Sequence, residues 1–172
     1  MNNLIISIVS DTGPLISLEK LENGYQFIRQ IYQQIFVPTI VIKELYQGQF
    51  SNWSDYQKFY NVGDCLTIIE EKLSILPILD ALDAGEQQAI QLAYNRQLPL
   101  LIEEEKGRKI AQELGLKFSG IAGQILKAYR QNLITAEDGT KKLGELLKAG
   151  RIGKKMYHEL IKQINLSSQA KF

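Results

Sequence analysis

The sequence predicts an α/β fold in three layers, with a central parallel sheet between two layers of helices. Three observations support this prediction. Short runs of aliphatic and β-branched residues recur along the chain, as expected of strands that are covered on both faces. Segments with helical spacing of apolar residues separate these runs. The chain has 172 residues, the length of one domain, and its 45% hydrophobic and 23% charged content is ordinary for a globular protein.

Each element follows from its local pattern. The predicted strands are residues 4–10, 35–38, 65–70 and 98–103, with a short extended segment at 116–120. The predicted helices are residues 14–24, 25–35, 39–48, 51–60, 82–97, 104–115 and 121–132, and two amphipathic helices around residues 143–147 and 156–164. We therefore expect a domain of residues 1–134 and a C-terminal helical extension, residues 135–172, packed on the same domain.

The helix boundaries carry signals of their own. Pro14 stands where the first turn of a helix accepts proline, and Asn23 with Gly24 marks a stop. Asp83 is a good N-cap residue, and Gly115 closes a later helix. The predicted alternation of strands and helices thus rests on boundary residues as well as on periodicity.

Cysteine and histidine are scarce, since the chain has one of each, Cys65 and His158. This excludes a zinc cluster of the Cys/His type and leaves His158 as the single histidine base. If the protein is an enzyme, carboxylates are therefore expected to perform its chemistry. Cys65 is expected to be buried and inert. No secretory signal and no apolar run of membrane-spanning length is seen, which predicts a cytoplasmic protein without membrane contact.

Charge is distributed unevenly along the chain. Residues 127–172 contain ten Lys or Arg against four Asp or Glu, although the net charge of the whole chain is only +1. A basic C-terminal part suits a polyanionic partner. Solvated helix faces explain the same asymmetry equally well.

The tripeptide Asp11-Thr12-Gly13 follows the first strand and matches the short signature of aspartic proteases. Those enzymes are nearly all β and need a second aspartate from the other half or subunit. They also usually carry Ala or Ser after the glycine, where this chain has Pro14. The predicted α/β fold therefore indicates that the tripeptide serves another purpose.

Acidic residues lie near the predicted carboxyl ends of the strands, where open α/β sheets bind ligands. Asp11 ends the first strand, and Glu103 and Glu104 follow the fourth, while Glu44 and Glu86 lie in helices. Clustered carboxylates raise one another's pKa, so such a group suits a hard cation with oxygen ligands, Mg²⁺ or Mn²⁺. A cation held in this way can polarise a phosphoryl oxygen and activate a water for in-line attack on a phosphodiester.

Five segments carry a family resemblance. In order over residues 4–134 they are SDTGPLISL, VPTIVIKEL, LDAGEQQAIQLA, LLIEEEKGRKIAQELGL and GIAGQILKAYRQNLI. The chain resembles PIN-domain proteins, and among them the small prokaryotic subgroup that includes many predicted VapC-type toxins of toxin–antitoxin modules. Two features depart from the subgroup's pattern. Gly13 stands where serine is usual, and Glu103-Glu104 stands where Asp-Asp is usual.

The resemblance implies a PIN-like α/β/α fold and a metal-dependent ribonuclease, a hydrolase that leaves 5′-phosphate and 3′-hydroxyl ends. It maps the acidic quartet onto four residues of this chain, namely Asp11, Glu44, Glu86 and Glu103. The implied ligands of Mg²⁺ or Mn²⁺ are Asp11, Glu86, Glu103 and Glu104, with Thr12 as a supporting hydroxyl beside them.

RNA is the expected substrate, and three basic residues close to Glu103 in sequence are candidates to contact its backbone, namely Lys106, Arg108 and Lys109. Further expected partners are a small antitoxin protein and a second copy of the chain. The apolar faces and the excess charge of residues 135–172 make this extension the expected contact surface.

Each acid also has a purely structural interpretation. Asp11 could cap the helix that follows it, and Glu86 could stabilise the positive end of its helix. Glu44 could be an exposed helix residue, and Glu103–Glu105 an acidic first helical turn. Because glutamates replace the usual aspartates, the alternative function is a catalytically weak or inactive PIN-like module that binds nucleic acid or protein.

Overall fold

The structure is a computed structural model that describes residues 6–169, with side chains for residues 6–166. Its strands are β1 (Ser7–Ser10), β2 (Gln34–Pro38), β3 (Leu66–Ile69), β4 (Leu100–Leu101) and β5 (Phe118–Ser119). Its helices are α1 (Thr12–Glu19), α2 (Gly24–Ile28), α3 (Thr39–Tyr46), α4 (Trp53–Phe59), α5 (Ala84–Arg96), α6 (Glu105–Glu113), α7 (Ile121–Arg130), α8 (Ala136–Lys148) and α9 (Lys154–Gln169). A short 3-10 helix, Pro77–Leu79, precedes α5.

The strands pair in parallel in the order β3-β2-β1-β4-β5, and helices cover both faces of the sheet. Residues of α1–α4 and α7–α9 form one hydrophobic core cluster. The 3-10 helix, α5 and α6 contribute to a second cluster. The predicted three-layer α/β/α fold with a central parallel sheet and C-terminal helices is confirmed.

The strand order reverses direction between β1 and β4, which are neighbours in the sheet although they are far apart in sequence. Ser10 of β1 lies opposite Leu101 of β4, and the Asp11 amide donates to the Leu101 carbonyl at 3.1 Å. Residues that leave these two strands therefore emerge side by side. In open α/β sheets this reversal point is where ligands bind.

Two predicted helices differ from the structure. α1 begins at Thr12 rather than at Pro14 and ends at Glu19, and Asn23 and Gly24, which the sequence predicts as its stop, are the N-cap and first residue of α2. The helix predicted over residues 25–35 is present only up to Ile28, where α2 ends; its continuation to residue 35 is wrong, since β2 already begins at Gln34. Pairing of residues 34–36 with β1 takes these residues into the sheet, so the intervening residues must turn the chain back. Residues 4 and 5 of the first predicted strand lie outside the described residues.

The C-terminal helices pack on the rest of the domain. A capping box between Thr135 and Asp138 begins α8. Leu143, Leu146 and Ile164 are buried in the same core cluster as α1 and α7, so the domain itself covers much of their apolar surface. Between residues 6 and 169, no helix is long and apolar enough to cross a membrane.

Candidate functional site

Asp11 lies at the carboxyl end of β1, and only 6% of the residue is exposed. It occupies the N-cap position of α1, but its side chain makes no capping hydrogen bond. Pro14 at the third helical position has no N–H to donate to the carboxylate. The pKa of Asp11 is raised to about 7, mainly by burial; the nearby backbone N–H groups of Thr12 and Gly13 oppose this rise, and the charges of Asp83 and Glu86 add to it. Near neutral pH this carboxyl group is poised between its protonated and charged forms.

Glu86 is a second buried acid, 5% exposed, in the first turn of α5. It forms a capping box with Asp83, in which the Glu86 amide donates to Asp83 Oδ1 at 2.9 Å and the Asp83 amide to Glu86 Oε2 at 3.3 Å. Glu86 Oε1 is buried and has no hydrogen-bond partner among the described residues. Burial, and then the nearby charges of Asp83 and Glu104, raise the pKa of Glu86.

Glycines leave room for two of the acids. A Cβ atom at Gly107 would stand 2.9 Å from Glu86 Oε1, and one at Gly85 would stand 2.7 Å from Glu44 Oε2. Glu44 is exposed, and its carboxylate accepts a hydrogen bond from the Thr12 hydroxyl. Glu44 is therefore tied to the residue that follows Asp11.

Glu103 follows β4, but its carboxylate is engaged elsewhere. Oε2 accepts hydrogen bonds from Ser17 Oγ at 2.7 Å and from Arg151 Nη2 at 2.9 Å. Oε1 accepts from the backbone N–H of Ile121, the first residue of α7, at 3.1 Å. Glu103 thus has an arginine, a hydroxyl and a helix terminus as partners, whereas Asp11 is buried beside other carboxylates.

Arg151, in the loop between α8 and α9, contacts residues next to the predicted acids, and sequence reasoning does not identify it. Its Nε donates to Ser17 Oγ at 2.8 Å, and its Nη2 donates to the Gly13 carbonyl at 2.9 Å as well as to Glu103. A point at the Cβ position of Gly13 lies 3.7 Å from Arg151 Nη2 and 3.9 Å from Asp11 Oδ2. The guanidinium therefore stands beside the acidic centre, the name we give to Asp11 and the two acids whose charges act on it, Asp83 and Glu86. An arginine in a glycine-rich loop, Gly-Arg-Ile-Gly, is the signal that could have found it.

Asp83 is the other residue whose part in the site is not predicted. The sequence predicts it as an N-cap, and the capping box confirms that role. In addition, its charge raises the pKa of both Asp11 and Glu86. Asp11, Asp83 and Glu86 are thus close enough for their charges to interact, as are Glu86 and Glu104.

The donor set fits a hard divalent cation, because it consists of carboxylate oxygens and one of them, Glu86 Oε1, is buried without a partner. The present arrangement is not a finished coordination sphere. Within residues 6–166, no three His, Cys, Asp or Glu side chains are arranged to hold a metal ion. Side chains would therefore have to turn about their single bonds to share an ion.

The predicted RNA-contacting cations have different surroundings. Lys106 donates to the backbone carbonyl of Ala81. Lys109 pairs with Glu105 at 2.8 Å on the exposed side of α6. The Arg108 guanidinium carbon lies 5.3 Å from the centre of the Phe118 ring, a cation–π distance. Arg108 is the one of the three for which no carboxylate or carbonyl partner is found among the described side chains.

Comparison with known proteins assigns a family. None of the curated proteins matches the chain. Among solved structures, the chain is similar to a PilT N-terminus domain protein, SSO1118, from the hyperthermophilic archaeon Sulfolobus solfataricus P2. That similarity has a TM-score of 0.44 and 14% identity over 67% of this chain and 87% of that one, and it supports no further conclusion. A family model described as PIN domain, DUF3368, matches residues 7–166. The chain therefore belongs to the PIN-domain family, in which nucleases are common and divalent metals are usually bound.

Proposed function

We propose that this PIN domain is a ribonuclease that hydrolyses RNA phosphodiester bonds with the help of Mg²⁺ or Mn²⁺. The observation that carries this proposal is the buried Asp11 carboxyl group at the reversal point of the sheet. The charges of Asp83 and Glu86 act on this group, and its pKa is raised to about 7, chiefly by burial. The charged form of a buried carboxyl group is unfavourable without a nearby positive charge, and a cation would stabilise it.

The acids have separate parts in this proposal. Asp11 and Glu86 supply the main oxygens for the cation, with Glu44, oriented by Thr12, at the rim. Of the two acids that follow β4, Glu104 is the more suitable ligand for the cation. Its charge acts on Glu86, whereas the Glu103 oxygens already have hydrogen-bond partners. A divalent cation bound here would supply a Lewis acid for the phosphoryl oxygen and lower the pKa of the attacking water.

Cleavage of single-stranded RNA tests the proposal. We expect cleavage that depends on Mn²⁺ or Mg²⁺, leaves 5′-phosphate and 3′-hydroxyl ends, and is lost in Asp11→Asn. The matched control is Lys43→Gln, an exposed residue outside the acidic centre, which should keep the activity. Absence of metal-dependent cleavage across RNAs of varied sequence would reject the ribonuclease.

A second candidate function is a PIN module that binds RNA or protein without cutting. The observations that favour it are the ion pair that occupies Glu103 and the lack of a ready three-carboxylate site among the described residues. The same assay discriminates the two functions. RNA binding that persists without cleavage, and that Asp11→Asn leaves unchanged, would favour the binding module.

The role as toxin of a toxin–antitoxin module is a further part of the proposal and rests on the sequence resemblance. It predicts a small antitoxin encoded next to this protein and a contact surface, also used by a second copy, on the C-terminal helices. Leu166, 56% exposed, is an apolar residue that α9 leaves available. Co-expression with the neighbouring reading frame should restore growth that this protein alone inhibits. Growth unaffected by the protein alone would remove the toxin role.

A further inference from the structure

A cavity of about 280 Å³ lies beside the acidic centre, between the ends of β4 and β5 and the C-terminal helix α9. Glu103 and Arg151 form the wall nearest to Asp11. The Gly13 Cβ position lies within 4 Å of atoms of Asp11, Glu103 and Arg151, so the cavity and the acidic centre are immediate neighbours. A strand with one phosphodiester at Asp11 would extend past or into this cavity.

The charge of the cavity is opposite to that of the acidic centre. Arg151 neutralises Glu103 through their 2.9 Å ion pair. Arg108 also lines the cavity, and no carboxylate lies within ion-pair distance of it among the described side chains. The lining therefore carries an uncompensated positive charge. Arginine is the side chain best suited to a phosphate, because its planar N–H groups match the phosphate oxygens.

Much of the remaining lining of the cavity is apolar. Phe118, Met156 and Leu160 line it, and Met156 is 43% exposed. The Arg108 guanidinium lies over the Phe118 ring, which holds the cation at the border between the charged and the apolar sides. Unpaired bases are bound on such aromatic and apolar surfaces, next to arginines that contact their phosphates.

We propose that this cavity binds one nucleotide of the RNA strand, adjacent to the phosphodiester held at the acidic centre. The phosphate contacts Arg108, and the base lies against Phe118, Met156 and Leu160. The inference rests on the proposed ribonuclease function for its substrate class. It differs in one measurable respect, because the cavity is cationic and binds the nucleotide without a divalent metal. It also makes α9 part of the nucleic-acid surface.

Methionine methyl groups provide the test, since the chain has two methionines, Met1 and Met156. The protein is labelled with ¹³C-methyl methionine, and Met156→Leu identifies the Met156 signal. Each of the four nucleoside 5′-monophosphates is then titrated in the presence of EDTA. We expect a saturable shift of the Met156 signal. Arg108→Gln should weaken the binding about tenfold, the loss of one charge-assisted hydrogen bond. Lys162→Gln, which removes a cation elsewhere on α9, should leave it unchanged.

The outcomes separate this inference from the ribonuclease proposal. A Met156 signal that does not move with any of the four nucleotides overturns the inference, as does a shift that Arg108→Gln leaves unaltered. An equal shift with inorganic phosphate alone overturns the base contact. Because the titration contains no metal and no cleavable bond, a positive result stands even if the RNA assay is negative. A negative result leaves metal-dependent cleavage intact.

Discussion

Asp11 and Glu103 are carboxylates at the ends of two neighbouring strands, and their surroundings are opposite. Asp11 is buried beside Asp83 and Glu86, and its pKa is raised to about 7. Glu103 accepts hydrogen bonds from Ser17, Arg151 and the N-terminus of α7. Position in the fold therefore does not decide what an acid does at this edge. The partners decide it, since the raised pKa predicts that a charged Asp11 destabilises the metal-free protein, whereas Glu103 pairs with Arg151 of the loop between α8 and α9.

The largest expected effect is that of Asp11→Asn on the metal-free protein. A carboxyl group whose pKa is raised in the folded state stabilises that state at low pH and loses this contribution as pH rises through the folded pKa. The rise from 3.8 to about 7 corresponds to about 4 kcal/mol at most. We expect Asp11→Asn to increase the free energy of unfolding relative to wild type, increasingly from about pH 4 to pH 7 and constantly above.

Urea denaturation in EDTA between pH 4 and pH 8.5 measures this difference. Glu103→Gln serves as the comparison, because the paired carboxylate should lose stability rather than gain it. If Asp11→Asn were no more stable than wild type at pH 8, the Asp11 carboxylate would not be a strained group.

The next effect is the loss of the partner of Glu103. Arg151→Met keeps the length of the side chain but removes the guanidinium, so Glu103, with its side chain 21% exposed, loses its ion pair. We expect a loss of about 2 kcal/mol in the free energy of unfolding, between the values for exposed and buried pairs. In the double variant Arg151→Met/Glu103→Gln the loss should be smaller than the sum of the single losses. Additive losses would show that the pair is not coupled.

The comparison of Asp11 with Glu103 also shows which features of this edge can be predicted from the sequence and which cannot. The β-branched runs place Asp11 at the end of the first strand and residues 103–104 at the end of the fourth. Because parallel strands end at the same edge of a sheet, the sequence predicts that these acids lie at one edge. The partner of Glu103 cannot be obtained in this way. Arg151 lies 48 residues from Glu103 and 138 from Gly13, and only the packing of α8 and α9 brings it there. The paired state of Glu103 is therefore a property of the tertiary structure.

A local misprediction has a similar cause. Residues 25–35 have helical spacing of apolar residues, yet α2 ends at Ile28, and the strand predicted over residues 35–38 already begins at Gln34. Pairing with β1 and β3 on both sides outweighs the helical preference of this segment. Asp83 illustrates the opposite case, since its capping role is readable from the sequence but its electrostatic effect on Asp11 depends on the fold.

Glu44 extends the comparison to an exposed acid, and we expect changes at this residue to alter the free energy of unfolding less than changes at Asp11 or Arg151. Gly85→Ala should place a Cβ 2.7 Å from Glu44 Oε2, which can turn away into solvent. The helix gains up to about 1 kcal/mol from alanine, so the net change should lie within about 1 kcal/mol. In a Glu44→Ala background the gain should be larger, because the contact is gone. Equal gains in both backgrounds, measured by denaturation, would show that Glu44 does not pack on Gly85.

The smallest effect is expected at the fully exposed pair Glu105–Lys109, one turn apart on α6. Solvent screens this pair, and such pairs contribute little to stability. Lys109→Gln should unfold at the same denaturant concentration as wild type. A clear loss of stability would contradict the expectation that the effect of an acid on stability falls as its exposure rises, from Asp11 through Glu103 to Glu44.

Divalent cations should distinguish the buried carboxylate of Asp11 from the paired carboxylate of Glu103 most clearly. A cation that binds the folded state alone stabilises it by about 2.7 kcal/mol at a hundredfold excess over Kd. For a domain of this size each kcal/mol raises Tm by about 2–4 °C. At pH 8 the Asp11 carboxyl group is charged, so the proton no longer competes for it.

Thermal unfolding at pH 8, with and without saturating Mn²⁺, therefore tests the Asp11 centre directly. We expect Mn²⁺ to raise the Tm of wild type by about 5–10 °C. Asp11→Asn should lose most of this increment while starting from an equal or higher Tm without metal, and Lys43→Gln should keep the increment in full. A wild-type Tm that ignores millimolar Mn²⁺ and Mg²⁺ would contradict a metal site at Asp11, and with it the metal-dependent nuclease.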